Sequence, residues 1–516
     1  MAEHRRLAVS TAAFGAATAL SRVAGLVRES VAAAVFGAGP AMSAFNVAFN
    51  LPNLVRSIVA DNAISGAFVP VFLELRESGK EREAWRVAGM VLWTTAVLLG
   101  AISAVFILTA PLYVHLLLYG QDNVSADLVV TLTRILFPIV AILGMTGVVT
   151  GILNSERIFG VPALTPVIWN LVIIGSLAVA ATVSDSEQQV EIYAAGVLVA
   201  TIVQFLIPLP LLRGRGQGLA FELGFGNPHV RRILKLMLPV SIGLGLININ
   251  LTIDLVVGSY ASGHAVSDLN FAFRIFMLPQ GLFSVAVATV LFPEIARRAA
   301  RGELPGVAAL VGQGMRTIAF LLLPAAAVSA VMAEPIVRLL YQRGEFTGFD
   351  TENVSRTLVA FSVGLVFNGL SLLLTRAFYS LQEPRVPTLV AAGNLLVNLV
   401  LDIALLRYGA AGIAASTAVV TVLNAGLLAV LLRRRVGLLG GRALIAEAAR
   451  IALAAALAAV VALGVWWPLD AVLGRSTVGQ LGSLVPALAA AGAVYLAAAR
   501  VLGLAEIAVL RSLIRR

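Results

Sequence analysis

Ala44 to Phe72 reads AFNVAFNLPNLVRSIVADNAISGAFVPVF, and Leu269 to Ile295 reads LNFAFRIFMLPQGLFSVAVATVLFPEI. Each is a long apolar run with an Ala-Phe pair, a Leu-Pro step, and one arginine, Arg56 or Arg274. The second follows the first at an offset of roughly 224, and a similar spacing carries Leu118-Tyr119 to Leu340-Tyr341 and Val161-Pro162 to Val386-Pro387. Matches that include Pro, Asn and Arg are not a by-product of shared hydrophobicity. The chain is read as two related halves.

Working outward, 59% of the 516 residues are apolar and 12% charged, about half the charge of an ordinary soluble chain. Apolar runs of roughly 20 to 30 residues recur along it, each able to cross an ~30 Å hydrocarbon core at 1.5 Å per residue. Spans are expected at 7–36, 41–75, 87–118, 127–154, 160–183, 191–213, 228–259, 265–297, 305–340, 350–380, 386–407, 411–434, 443–466 and 479–503. The fold class is therefore an all-α polytopic membrane protein of about fourteen helices. Residues 1–215 and 216–436 form two six-helix lobes, and 437–516 an extra helix pair. An even number of spans per half makes the repeats parallel, about an axis along the membrane normal, and puts a substrate path between them.

The formal charge of +10 raises the question of nucleic acid, but the placement of the basic residues answers it. About 23 of the 37 Lys and Arg fall in alternate loops and at the termini, as in Arg76 to Arg86, Arg213 to Lys235 and Arg433 to Arg442. The intervening loops hold Arg343, Arg407 and Arg475. This is the positive-inside distribution, with both termini expected in the cytoplasm and the N-terminal segment expected to be retained. There is no cysteine, and His4, His115, His229 and His264 lie far apart, which argues against a thiolate or histidine metal centre.

Charges inside spans carry the functional reading. Arg22 lies about 22 Å by helical rise from either end of the first expected span, beyond the reach of a snorkelling side chain. Arg28, Arg56 and Arg274 also sit in apolar spans, where an Arg costs about 2.5 to 3.5 kcal/mol on insertion scales and cannot shed its proton. Carboxylates nearby are few: Glu29, Asp61 and Asp268. Arg56 and Arg274 occupy related places in the two repeats, so each half contributes one towards a shared cavity. Several guanidinium groups suit a phosphate or diphosphate through bidentate hydrogen bonds, with each expected to be needed for transport and dispensable for folding. The alternative is structural: each Arg caps carbonyls at a helix break or pairs with a carboxylate. Separately, Asp254 and the one-turn pair Asn398 and Asp402, with Thr417, could hold Na⁺, carry a proton, or simply bond between helices.

The segment Ser21 to Glu29 (SRVAGLVRE), then Phe36-Gly37-Ala38-Gly39 and Phe45 to Phe72, resembles the opening of the MurJ (MviN) family of lipid II flippases. So do GILNSERIFGVPALTPVIWN at Gly151 to Asn170, LPQGLFSVAVATVLFPEIARRA at Leu278 to Ala299 and LYQRGEFTGFDT at Leu340 to Thr351. The resemblance implies the multidrug/oligosaccharidyl-lipid/polysaccharide exporter fold, with two lobes around a cavity and a C-terminal pair whose groove takes a polyprenyl tail. It implies cavity arginines at Arg22, Arg28, Arg56 and Arg274, with Ser21, Asn53 and Asp61 beside them, and a sodium site at Asp254, Asn398, Asp402 and Thr417. Its implied partners are lipid II, membrane lipids and the cell-wall synthesis machinery. Ser43 and Met277 stand where the family usually has acidic residues, which raises the positive charge expected of the cavity.

Three functions compete: a lipid II flippase, an exporter of another undecaprenyl-diphosphate glycan or of drugs, and a membrane enzyme acting on polyprenyl lipids. The enzyme needs a loop carboxylate or histidine set, usually with a metal, and the sequence offers none. Lys80 and Lys235 are the only lysines and neither lies in a GxxxxGK[ST] frame. Energy is therefore expected from an ion gradient, the membrane potential or downstream consumption of the substrate.

Overall fold

The computed structural model describes residues 20–59, 62–156, 158, 160–213, 219, 221–504 and 506–507. These are mostly helical, joined by short turns and loops, with no strand among the described residues. The chain forms two compact units, Met1–His264 with Arg343–Phe346, and Ala265–Gln342 with Thr347–Arg516.

The first unit holds α1 (residues 20–36), α2 (Pro40–Val59), α3 (Asn62–Glu77), α4 (Glu81–Leu117), α5 (Ala126–Leu136), α6 (Pro138–Ser155), α7 (Gly160–Ala180), α8 (Ser186–Leu206) and α9 (Pro228–Ala261). The second holds α10 (Ala265–Pro279), α11 (Val285–Ala300), α12 (Leu304–Val331), α13 (Ala333–Tyr341), α14 (Gly348–Ser380), α15 (Arg385–Leu405), α16 (Gly409–Val436), α17 (Gly441–Leu473) and α18 (Thr477–Val501). Polar residues punctuate the helix starts. The side chains of Ser125, Asp185, Asn227 and Ser476 accept the first free backbone N–H groups of α5, α8, α9 and α18, and Thr347 with Asp350 forms a capping box on α14.

Among the described residues ten stretches are long and apolar enough to cross a membrane. One of them, Arg385–Val436, is a hairpin: α15 ends in the short turn Leu406–Tyr408, and Gly409 at φ +65° starts α16, which packs back on α15. Helix α1, the pair α2 and α3, and α9 stand where the first, second and seventh spans were expected, although residues 7–19 of the first lie outside the described residues. The chain is an all-α, multi-pass membrane protein of about fourteen spans.

Lipid offers no hydrophobic drive between helices, so packing rests on close van der Waals fit at small residues. In the first unit α2 packs on α5 and α9, α4 on α6, and α7 on α8. Helix α9 therefore lies with the first unit, against α2, α3 and α4. In the second, α14 is central, packed on α10, α12 and α16, with the α17–α18 pair fixed to it through α12. The α14–α16 approach depends on Gly364: a Cβ there would stand 3.1 Å from the Ala418 Cα.

The repeated stretches are built differently in detail. Span two is α2 and α3, with Pro52 and Pro70 inside them. Span eight is α10, a single π-helical turn Gln280–Ser284 after Pro279, and α11 with Pro293 inside it. An interior proline removes an N–H donor and crowds the carbonyl four residues back, so each stretch carries a break in its hydrogen-bond ladder near its arginine, at Pro52 and at Pro279.

Candidate functional site

The three arginines of the first unit have distinct surroundings. Arg22 is exposed on α1, while Arg28, six residues on and so on a different side of the helix, is 8% exposed. Its guanidinium donates to buried Glu29 and lies 4.9 Å from the centre of the Trp169 ring of α7. Trp169 is itself oriented by its indole N–H, which donates to the Thr201 hydroxyl of α8 at 3.1 Å. Arg28 is thus packed into the lobe by α1, α7 and α8, and the expectation that it is dispensable for folding does not follow from this setting.

Ser21 is half-buried beside α7: the Asn170 amide donates to the Ser21 carbonyl at 3.5 Å and to the Pro166 carbonyl at 2.8 Å. On α2, Arg56 is half-buried and donates from Nε and Nη2 to the Asn53 side-chain oxygen, at 3.1 and 2.6 Å. Asn53 thus orients the guanidinium from one turn earlier. Asn50, a turn further back, accepts from Thr252 of α9 at 3.4 Å. Asp61 lies outside the described residues. Ser43, one of the departures, is fully buried on α2.

In the second unit Arg274 is half-buried on α10, five residues before Pro279, and Met277 is exposed. The π-helical turn that follows is held by Gln280, whose amide donates to Asn368 of α14 at 2.8 Å. A π-helical turn interrupts the regular hydrogen-bond ladder and often marks a functional position. Phe273, Phe276 and Phe361 pack as one aromatic group beside Arg274, with ring centres 5.5 to 5.7 Å apart.

Of the expected ion ligands, Asn398 and Asp402 are fully buried on α15, and the Asn398 amide donates to Asp402 Oδ2 at 2.9 Å. Ser416 of α16 joins them, its hydroxyl 3.3 Å from the Asn398 carbonyl and 3.4 Å from Asn398 Oδ1. The neighbouring Thr417 donates to Ile413 of its own helix at 3.2 Å. Asp254 is buried on α9 of the first unit. No group of three His, Cys, Asp or Glu able to hold a metal occurs among the described residues. The oxygen-rich Asn398–Asp402–Ser416 cluster still fits a hard monovalent cation by donor chemistry.

Sequence reasoning missed Ser416, Trp169 and a second polar chain. In that chain Asn394 donates to Asn424 at 2.8 Å, and Asn424 to Ser371 at 3.0 Å. Asn394, Asn398 and Asp402 recur every four residues, so the polar face of α15 was visible in the sequence; its partners on α14 and α16 were not.

The model of the family described as "Lipid II flippase MurJ" matches residues 32–471. A probable lipid II flippase MurJ of Rhizobium meliloti (strain 1021) is 35% identical, with 98% of this chain and 96% of that protein covered. The lipid II flippase MurJ of Burkholderia cenocepacia is 32% identical, with 81% and 82% covered. Among solved structures, a lipid II flippase MurJ in an inward closed conformation shares the fold at a TM-score of 0.77 and 24% identity, covering 97% of this chain and 99% of that one. An inward-facing MATE-family multidrug transporter shares it at 0.68 and 16% identity, covering 82% and 96%. With its sequence matched over most of its length, this multi-pass chain belongs to the lipid II flippase MurJ family.

Proposed function

We propose that this protein translocates lipid II from the cytoplasmic to the outer leaflet of the inner membrane by alternating access, supplying precursor for cell-wall synthesis. The observation that carries this reading is the 35% identity to a probable lipid II flippase across 98% of the chain. The protein is a transporter and performs no covalent step. Arg22, Arg28, Arg56 and Arg274, with Ser21, Asn53 and Asp61, serve the diphosphate-bearing substrate in this proposal. A guanidinium fork and a diphosphate oxygen pair form charge-assisted hydrogen bonds that neither makes with lipid tails. Arg56, already oriented by Asn53, is the best prepared for such a contact.

Both termini are cytoplasmic in this reading, following the basic loops. Na⁺ is the proposed coupling ion, with Asn398, Asp402, Asp254 and Thr417 as the proposed ligands; the buried oxygens gathered at Asn398, Asp402 and Ser416 support the part of that set on α15 and α16. The cell-wall synthesis machinery, which consumes the exported precursor, is the proposed partner. A second reading, export of another undecaprenyl-diphosphate glycan, is favoured by Ser43 and Met277, which leave two usual acidic positions neutral. The likeness to drug exporters lies in the fold alone.

The test is depletion of a host's own lipid II flippase while this gene is expressed. Restored growth and restored lipid II at the outer leaflet are expected. Failure at normal membrane abundance, with restored export of a different polyprenyl glycan, would turn the assignment to the second reading.

A further inference from the structure

The segment before α9 lies along α4 in a way that loops in water do not require. Trp93 of α4 donates its indole N–H to the Leu219 carbonyl at 3.4 Å, and its ring meets Phe221 edge-on at 4.8 Å between centres. The Gly224 backbone N–H donates to the Thr94 hydroxyl at 2.9 Å, and a Cβ on Gly224 would stand 2.7 Å from Val230 and 2.9 Å from Met90. At the outer end of this seam, Arg86 grips Glu222 with two bonds, at 2.6 and 2.7 Å.

The depth of this seam is set by α4. Arg86 is its last charged residue before His115, and Trp93 lies seven residues further in, roughly 10 Å by helical rise. The headgroup layer on each side of the hydrocarbon is only about 5 to 7 Å thick. The segment therefore reaches the hydrocarbon boundary, where backbone polar groups must find protein partners; Trp93 and Thr94 supply two. Tryptophan is itself enriched at that level.

What the segment turns outward fits the same place. Phe221, Leu223 and Phe225 alternate along it and are 69%, 43% and 50% exposed, forming an apolar edge. Beside it on α9, Arg231 and Lys235 are exposed one turn apart and make no ion pair among the described residues, while Arg232 pairs with Glu74. Two like charges at that spacing repel and call for a counter-anion.

We infer that residues 221–235 form a binding surface for anionic phospholipid, with Phe221, Leu223 and Phe225 inserted at the acyl boundary and Arg231 and Lys235 holding the phosphate. The lipid acts here as a bound component of the lobe, independent of what the protein carries. Each cation near an anionic surface contributes about a fivefold preference, so two give about thirtyfold over zwitterionic lipid.

The chain has no cysteine, so Phe225→Cys and Leu223→Cys each accept a single spin label in the full-length protein, with Ser78→Cys as an aqueous reference. In vesicles of phosphatidylcholine containing phosphatidylglycerol, both labels are expected to relax with dissolved oxygen and resist a water-soluble nickel chelate, unlike the reference. Native mass spectrometry of the purified protein in a mixture of the two lipids is expected to show the thirtyfold preference collapse towards unity in Arg231→Gln/Lys235→Gln. Labels at both positions as open to the nickel chelate as Ser78→Cys would overturn the proposal and leave the edge to a soluble protein. An unchanged phosphatidylglycerol preference in the double variant would also overturn it.

Discussion

Arg28 offers the sharpest test of how the arginines divide between fold and function. Replacing it by Ala removes the cation of a buried pair and leaves Glu29, 4% exposed, without that partner. Breaking a buried pair from one side typically costs about 3 to 5 kcal/mol, because a carboxylate remains in a low-dielectric site. The contact with Trp169 adds about 1 kcal/mol to the loss. Arg22→Ala, at an exposed position on the same helix, should change stability by no more than about 0.5 kcal/mol. The measurements are membrane abundance, thermal unfolding in detergent and lipid II translocation for both variants. Arg28→Ala is expected to lose abundance and unfold at a lower temperature, and Arg22→Ala to keep both while losing translocation. Arg28→Met with Glu29→Leu is expected to recover abundance, since a well-packed apolar pair substitutes for a buried ion pair. Wild-type abundance and unfolding temperature in Arg28→Ala would refute the structural assignment, and normal translocation in Arg22→Ala would remove it from the substrate path.

Under the proposed Na⁺ coupling, Asp402→Ala and Ser416→Ala should each weaken any Na⁺ dependence of transport; Na⁺ dependence untouched in both, at normal abundance, would make the cluster purely structural. Single cysteines near Lys80 and Arg435 should be labelled from the cytoplasmic side and those near Gln121 and Gly348 from outside, and two reversals would undo the topology. Burial beside Glu447 raises the Glu506 carboxyl above its ordinary range, against the opposing pull of Arg316. Its stabilising contribution is therefore present at low pH and lost as pH rises through the raised value, so Glu506→Gln should raise the unfolding temperature at neutral pH and flatten its pH dependence. The Arg86 contact holds the Glu222 carboxyl below its ordinary range. The seam on α4 should loosen only as pH falls through that lowered value, a change that hydrogen exchange at Gly224 would report and Glu222→Gln would eliminate.

The helical spans were legible because their signals are local, although the breaks that divide spans 127–154 and 305–340 into two helices each were not. Runs of apolar residues set the spans, whereas the caps Ser125, Asp185, Asn227, Thr347 and Ser476 were recognised only in the structure, where free N–H groups at the helix starts meet their side chains. The hairpin at Gly409 was likewise readable from the break between two apolar runs. The π-helical turn after Pro279 was not, since proline announces an interruption without specifying how the ladder is resumed.

The sequence by itself determined that this is a membrane chain with an internal sequence repeat and with cations in apolar spans, because hydropathy, period and charge are properties of residue order. It placed Arg22, Arg28, Arg56 and Arg274 in one class, since all four share the same residue type and apolar neighbourhood. The tertiary structure alone separated them: Arg28 is enclosed by Glu29 and Trp169, Arg56 is oriented by Asn53, and Arg22 is exposed. It also brought Ser416 to Asn398 and laid Phe221 on Trp93. Those contacts join residues 18 and 128 positions apart, and their existence depends on which helix faces meet, a matter of packing that no local pattern encodes.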